Sequence, residues 1–407
     1  MSASSATSSP AASYDRTLSD AVQRALAQGT PNFRDLLGAV DGADPPTVLS
    51  VLERLAPTDQ PLASAAQAAI TEAQTPLPAT PTPLPISHPL DYAWMFAEST
   101  QIQLLERMAA LTVPGDLIAH LGTPTLHSRA MRALPDRRHV LFDRDPRRID
   151  AANALVADSA QNVDLLQQTP AALGAALAVA DPPWYTQPAV AFTHAASVLL
   201  RRDAQLLLAF PARLTRPGIL EEREELVKAV ELSGMMLLGV EPSAFRYDTP
   251  AFERAAMLAR GIPGTPADWR VGDLLSLRRT SAPSPSTPLS HEQDWVAVEI
   301  DSIPLRARAS SPPRGDRLIG RLVDGDVLAT VSGRAPERAL AALWTSRNRV
   351  YRSAEPSVLA SILQDLADGL PIPNDPEIKA AARTIAKIVT LERREHGLLT
   401  RDAPVPA

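Results

Sequence analysis

The sequence predicts an α/β protein: a doubly wound, Rossmann-like core, flanked by an N-terminal winged-helix-like helical module and a C-terminal α+β domain. Three observations carry this. From Ser99 to Pro211, helix-like and strand-like segments alternate, the pattern of parallel strands joined by crossover helices. Two proline-rich stretches, 57–89 and SAPSPSTPLS at 281–290, divide the chain. Ahead of the first lie three short segments with apolar residues at helical spacing.

Residues 1–15 are rich in Ser and Ala and are expected to be disordered. TLSDAVQRALAQGT, NFRDLLGAV and PPTVLSVLERLA then predict three helices, the module of residues 16–56. The last of them offers only Arg54 as a basic side chain, which favours docking of a partner, or a homodimer, over DNA. The linker 57–89 holds a helical turn or two around Leu62–Ala73. In the core, residues 90–280, STQIQLLERMAAL is a helix, DLIAHLG a buried strand, HSRAMRAL a helix and HVLFD a strand. RRIDAANALVADS (helix), AALAVAD (strand), VAFTHAASVLL (helix) and QLLLAFP (strand) follow. In residues 291–407, DWVAVEIDSI reads as a strand and RLIGRLVDGDVLATVS as a hairpin turning at Asp324-Gly325. ERALAALWTS, PSVLASILQDLADG and EIKAAARTIAKIVTLERRE read as helices, and none of this block carries a chemical motif.

Composition narrows the function. The 407 residues are 45% hydrophobic, enough for a sizeable core. With no cysteine, disulfides, thiolate metal sites and thiol nucleophiles are excluded, and a reducing cytoplasm fits. A net charge of -6 argues against nucleic-acid binding by bulk attraction. No apolar run reaches the ~18 residues of a membrane span, and MSASSATSSPAAS lacks the features of a signal peptide, so a cytoplasmic protein without a membrane partner is expected. His120, His127, His139 and His194 show no metal-ligand spacing, and no metal site is expected.

In a doubly wound sheet, ligands bind at the carboxyl ends of the strands. The first such end is HLGTPTL, where Gly122, Thr123, Pro124 and Thr125 form a candidate nucleotide loop or a plain strand-to-helix turn. The second is LFDRD, in which Asp143 fits an acceptor for ribose hydroxyls and Asp145 is the alternative; Asp145-Pro146 also reads as a helix cap. The third is ADPPWYTQP. Pro182 and Pro183 fix the backbone, so the Asp181 carboxylate and the Pro182 carbonyl become two rigid acceptors able to grip an amino group. Trp184 and Tyr185 add flat faces for a planar substrate or a cation. Asp181, Pro182, Pro183, Trp184 and Tyr185 together are the candidate catalytic residues. After the next strand, Arg213 and Arg216 are candidates for a phosphate or carboxylate, or for pairing with Glu221, Glu222 or Glu224. Tyr247, Phe252, Trp269 and Arg270 read as a packed aromatic region near the site.

ADPPWY resembles the catalytic motif of S-adenosylmethionine-dependent amino-methyltransferases acting on exocyclic nitrogens such as adenine N6. The order LGTPTL, LFDRD, DPPWY is also that of a class I methyltransferase core. A second resemblance, from about Thr17 to Phe210, is to the branched-chain polyamine synthases, on HPLDYAWMFAESTQIQLLERM, DLIAHLGTPTL and ADPPWY. That family has a run of aspartates where this chain has Thr123, Pro124 and Thr125. Together these resemblances imply a donor, S-adenosylmethionine or its decarboxylated form, and an amine acceptor that is a small molecule or contains adenine, with nucleic acid as one source. A protein of this fold that has lost catalysis and binds a nucleotide or a partner is the alternative.

Overall fold

The computed structural model describes residues 10–30, 32–57, 62–77, 86–91, 93–284, 289 and 295–399. The chain forms two compact units: one of residues 1–73, 94–248 and 266–291, the other of 74–93, 249–265 and 292–407.

The first unit opens with four helices, α1 (Pro10–Ala27), α2 (Phe33–Ala39), α3 (Pro45–Leu55) and α4 (Ala63–Ala73). Residues 10–15, expected to be disordered, are helical, and the turn or two expected at 62–73 is a full helix. Ala66, Ala69, Ile70 and Ala73 explain it, because this alanine-rich stripe at helical spacing lies buried. No strand follows these helices among the described residues up to Ala73, so the wing of a winged helix is not seen. The module is anchored to the core: Tyr14 Oη donates to the Leu214 carbonyl (3.0 Å), and a Cβ on Gly42 would lie 3.1 Å from Ala212 and Val271.

The core follows as β1 (Met95–Phe96), α5 (Glu98–Leu111), β2 (Leu117–Leu121), α6 (Pro124–Ala133), β3 (Arg138–Asp143), α7 (Pro146–Leu155), β4 (Ala160–Asn162) and β5 (Ala175–Ala180). Then come α8 (Thr186–Leu199), β6 (Leu200–Pro211), α9 (Ile219–Leu232), β7 (Met235–Asp248), α10 (Ala251–Ala259, in the second unit) and β8 (Arg270–Arg279). The sheet order is β1-β7-β8-β6-β5-β2-β3-β4. Strands β2 to β6 pair in parallel, and β8 runs antiparallel between β6 and β7. Every residue of β5 is buried, as a central parallel strand covered by helices on both faces must be.

The β7–β8 pair was not legible in the sequence. Strand β7 is only half apolar and carries a bulge between Glu241 and Phe245. There Ser243 takes φ +51°, and its amide donates to Asp273 Oδ1 of β8 at 2.8 Å. The bulge re-aims the strand's last residues, and Tyr247 comes to lie opposite Arg270.

The second unit holds a separate sheet, β11-β13-β12-β10-β9, from β9 (Trp295–Ile300), β10 (Ile303–Arg308), β11 (Gly320–Arg321), β12 (Leu343–Thr345) and β13 (Val350–Arg352). Helices α11 (Pro356–Ala367) and α12 (Pro376–Glu395) pack with it. The hairpin expected at Asp324-Gly325 does not form. Its first arm pairs with β13 instead, where Leu322 donates to the Val350 carbonyl, and Leu328 reaches Asn348. ERALAALWTS is a short 3-10 turn, Pro336–Leu340, followed by strand β12, because Trp344 and its neighbours are fully buried in the sheet. No helix among the described residues is long and apolar enough to cross a membrane.

Candidate active site

Three strand ends meet as the sequence predicts. Strand β5 delivers Asp181, whose amide donates to the Leu121 carbonyl at the end of β2 (3.1 Å). Gly122 donates to the Phe142 carbonyl of β3 (2.9 Å), so the LGTPTL, LFDRD and ADPPWY segments are laced together by backbone. Gly122 has φ +68°, and a Cβ there would stand 3.2 Å from both the Asp181 carbonyl and the Phe192 ring. Glycine is needed on both counts. Pro124 then starts α6, and the buried Thr123 Oγ1 has no hydrogen-bond partner.

The two candidate acids separate. Asp145 caps α7 by accepting from the Arg147 amide (3.1 Å) and pairs with Arg147 and Arg148. Asp143 is buried, accepts from the Asp145 amide (2.9 Å) and lies 3.5 Å from Arg148. Burial pushes its carboxyl above the usual range, with Arg148 opposing. A carboxylate offers about four lone-pair directions, so Asp143 keeps capacity for a hydroxyl pair.

The two prolines of the motif divide their work. Pro182 is buried, while Pro183 is half-buried and its carbonyl accepts from the Tyr185 amide at 2.7 Å. That bond closes a three-residue turn, Pro183 to Tyr185, so Pro183 shapes the loop. Pro183 thus holds the turn that carries Trp184 and Tyr185, and the backbone oxygen that the sequence reading gives to an amine is that of Pro182.

At Asp181 the structure adds a partner. Tyr247 donates its hydroxyl to Asp181 Oδ1 at 2.8 Å. Asp181 keeps part of its surface open, yet burial of its carboxyl pushes it up to about 8, against hydrogen bonds from Tyr247 and Trp184 that lower it. The Trp184 ring meets Tyr247 edge to face at 5.2 Å. The Arg270 guanidinium lies 5.2 Å from the Trp184 ring centre, 5.3 Å from Trp94 and 4.7 Å from Trp269. Three indoles thus surround one guanidinium beside the motif. Sequence reasoning assigned Trp269 and Tyr247 to packing; Tyr247 packs and also reaches the Asp181 carboxyl. Only its place at the end of an unrecognised strand hid it.

Arg216 is committed. It pairs with Glu222 (2.5 Å), donates to the Trp184 carbonyl (2.8 Å) and lies 5.4 Å above the Tyr185 ring. It therefore braces the motif. Arg213 is exposed at the same rim. The histidines distant in sequence converge: His120 Nε2 and His139 Nδ1 are 3.1 Å apart, and the His127 ring lies 5.1 Å from His120. Among the described residues no group of three metal-ligating side chains is arranged to hold an ion.

The strand order, with one antiparallel strand set beside the last parallel one, decides the architecture. The core is a Rossmann-like, doubly wound α/β fold. Neither known protein families nor curated proteins match the sequence. Among solved structures, the branched-chain polyamine synthase from Thermus thermophilus, in complex with N4-aminopropylspermidine and 5'-methylthioadenosine, is 14% identical with a TM-score of 0.49, covering 70% of this chain and 95% of its own. The geranyl diphosphate C-methyltransferase of Streptomyces coelicolor is 12% identical, TM-score 0.32, covering 45% and 79%. TrmN from Thermus thermophilus is 16% identical, TM-score 0.30, covering 44% and 47%.

Proposed function

We propose that this Rossmann-like core transfers an alkyl group from an S-adenosylmethionine-type donor to an amine nitrogen. One observation carries the reading: a half-open Asp181, held by prolines at the end of the central strand, stands in backbone contact with the Gly122 turn and beside Trp184 and Tyr185. Gly122 and the Thr123 hydroxyl would hold the donor's adenosine part, and Asp143 its ribose. When bound, the donor supplies an electrophilic carbon on sulfur.

The chain's own residues then do three things. The Asp181 carboxylate and the Pro182 carbonyl accept from the acceptor's N–H groups and aim its lone pair in line with the reacting carbon. Trp184 and Tyr185 flank a flat group. As the N–C bond forms and the S–C bond breaks to leave a neutral thioether, the nitrogen becomes acidic and the ionised form of Asp181, which grows as pH rises toward about 8, takes its proton.

The chemistry of Asp181 favours a planar, neutral amine, such as an adenine-like amino group, over an aliphatic polyamine. Aliphatic amines are charged near neutral pH, with pKa values of roughly 10, and need ionised carboxylates around them. Asp181 is held mainly protonated below about 8. Calorimetric titration with S-adenosylmethionine, its decarboxylated form and S-adenosylhomocysteine should show micromolar-range binding to one of them. Binding to none would sink the transferase reading in favour of a protein that has lost catalysis; preference for the decarboxylated donor would restore the polyamine acceptor.

A further inference from the structure

We propose that Tyr247 is a positioning residue for Asp181, its hydroxyl fixing the direction in which the carboxyl faces and, through it, where the acceptor nitrogen is held. This rests on the transferase reading and assigns a role to a strand that the DPPWY motif does not include.

The geometry is specific. Tyr247 is fully buried, so its hydroxyl must find a partner inside the protein, and that partner is Asp181 Oδ1 at 2.8 Å. Burial and the neighbouring Asp181 raise the phenol well above its usual range, so it keeps its proton and donates to the carboxylate when Asp181 is ionised. The ring is clamped by Phe96 (5.1 Å) on one side and Trp184 (5.2 Å) on another. A third wall is the backbone of Gly272. A Cβ there would lie 3.0 Å from the Phe210 carbonyl, 3.1 Å from Trp184 Cζ2 and 3.5 Å from Tyr247 Cε2. The absent side chain at 272 is therefore what lets Trp184 and Tyr247 close on Asp181.

The clamp reaches the hydroxyl from far along the chain. The bulge at Ser243, pinned by Asp273, sets the phase of β7, so that Phe245 and Tyr247 both point into the core. Strand β7 thus carries a donor to the reacting carboxyl at the end of β5. Such a donor does two jobs. It selects one rotamer of Asp181, and it stabilises the carboxylate against burial, so that the group can accept a proton at an accessible pH. Around the pair, the charged side chain acting on Tyr247 is Arg270 of β8, which opposes the rise by lowering the phenol; Trp184 acts on Asp181 from its own loop and lowers it.

Two measurements on the full chain test this. Carbon-13 NMR of aspartate-labelled protein, with Asp181→Asn to assign the signal, follows the carboxyl directly without needing turnover. Tyr247→Phe keeps the ring and removes the donor; Asp181 should then titrate about one unit higher, and transfer below the rise of the pH profile should fall about tenfold. Donor affinity should stay within about twofold. Should Tyr247→Phe prove unstable, Gly272→Ala keeps the hydroxyl and crowds the clamp, and should move the same signal. An Asp181 signal that titrates unchanged in both variants overturns the role of Tyr247, whatever the donor titrations show. A shifted signal in a chain that binds no donor overturns the transferase reading, and with it the positioning role, while leaving the Tyr247–Asp181 coupling as a measured fact.

Discussion

Gly122 and Asp181 approach so closely that a single methyl group on Gly122 would stand 3.2 Å from the Asp181 carbonyl oxygen. The proposed donor loop and the amine-gripping loop are thus one backbone assembly, and what disturbs one disturbs the other.

Gly122→Ala should therefore damage both. An L-residue at φ +68° costs about 1 kcal/mol, and the new methyl presses on Asp181 and Phe192. The thermal midpoint should drop by about 2–4 °C, and calorimetry should show donor binding weakened at least tenfold. Unchanged binding would mean that the turn is only structural.

Asp181→Asn separates function from stability. The folded carboxyl holds its proton up to about 8, whereas the unfolded chain releases it near 4. Between these values the native state binds more protons than the unfolded state, so wild-type stability falls as pH rises. The asparagine variant lacks this loss. Its urea midpoint should gain on wild type progressively from pH 5 to 8, while turnover is lost. A difference that is flat with pH would show that the carboxyl is not held protonated.

The histidine cluster predicts the opposite slope. The Leu134 carbonyl accepts from His139 Nε2, so His139 Nδ1 must accept from His120, and the buried His120 Nδ1 is left without a partner. Burial keeps all three rings neutral, His127 down to about 4. Below 6.5 the unfolded chain gains protons that the fold refuses, so stability falls toward pH 4, by about 2 kcal/mol for each ring kept neutral down to pH 5. Urea unfolding at pH 7 and 5 should show this loss, and His127→Leu should reduce it. Equal slopes in both proteins would remove His127 from the effect.

In the second unit, Arg349 binds Glu392 (2.6 Å), Glu395 (2.8 Å) and Asp326 (3.2 Å), and Glu392 also accepts from Thr345 and Ser346. Glu392 is wholly buried on α12. Arg349→Met leaves that carboxylate unpaired and should destabilise the unit by about 3–5 kcal/mol. Replacing Glu392 with Gln as well should recover part of the loss, because no buried charge then remains. Chemical unfolding followed by Trp fluorescence reads both, and no recovery in the double variant would refute the charge argument.

Local sequence determined the parallel half of the core. Strands such as AALAVA are apolar throughout because helices cover both faces, and a proline pair after an acid stops a strand wherever it stands. The acid, the glycine turn and the aromatic pair were legible for that reason. The bond from the Tyr185 amide to the Pro183 carbonyl was not, because it exists only once the turn has closed. The antiparallel β7–β8 pair was hidden too, since a bulged, half-exposed strand has no clean period, and its register is fixed by Asp273 holding Ser243 from across the sheet. The same holds for β11 and β12, which both pair with β13 and not through the turn that Asp324-Gly325 advertises. Tertiary structure alone decided that Tyr247 would meet Asp181, 66 residues earlier. A hydroxyl with no local partner is silent in a sequence; burial forces it to find one, and only the folded sheet says which.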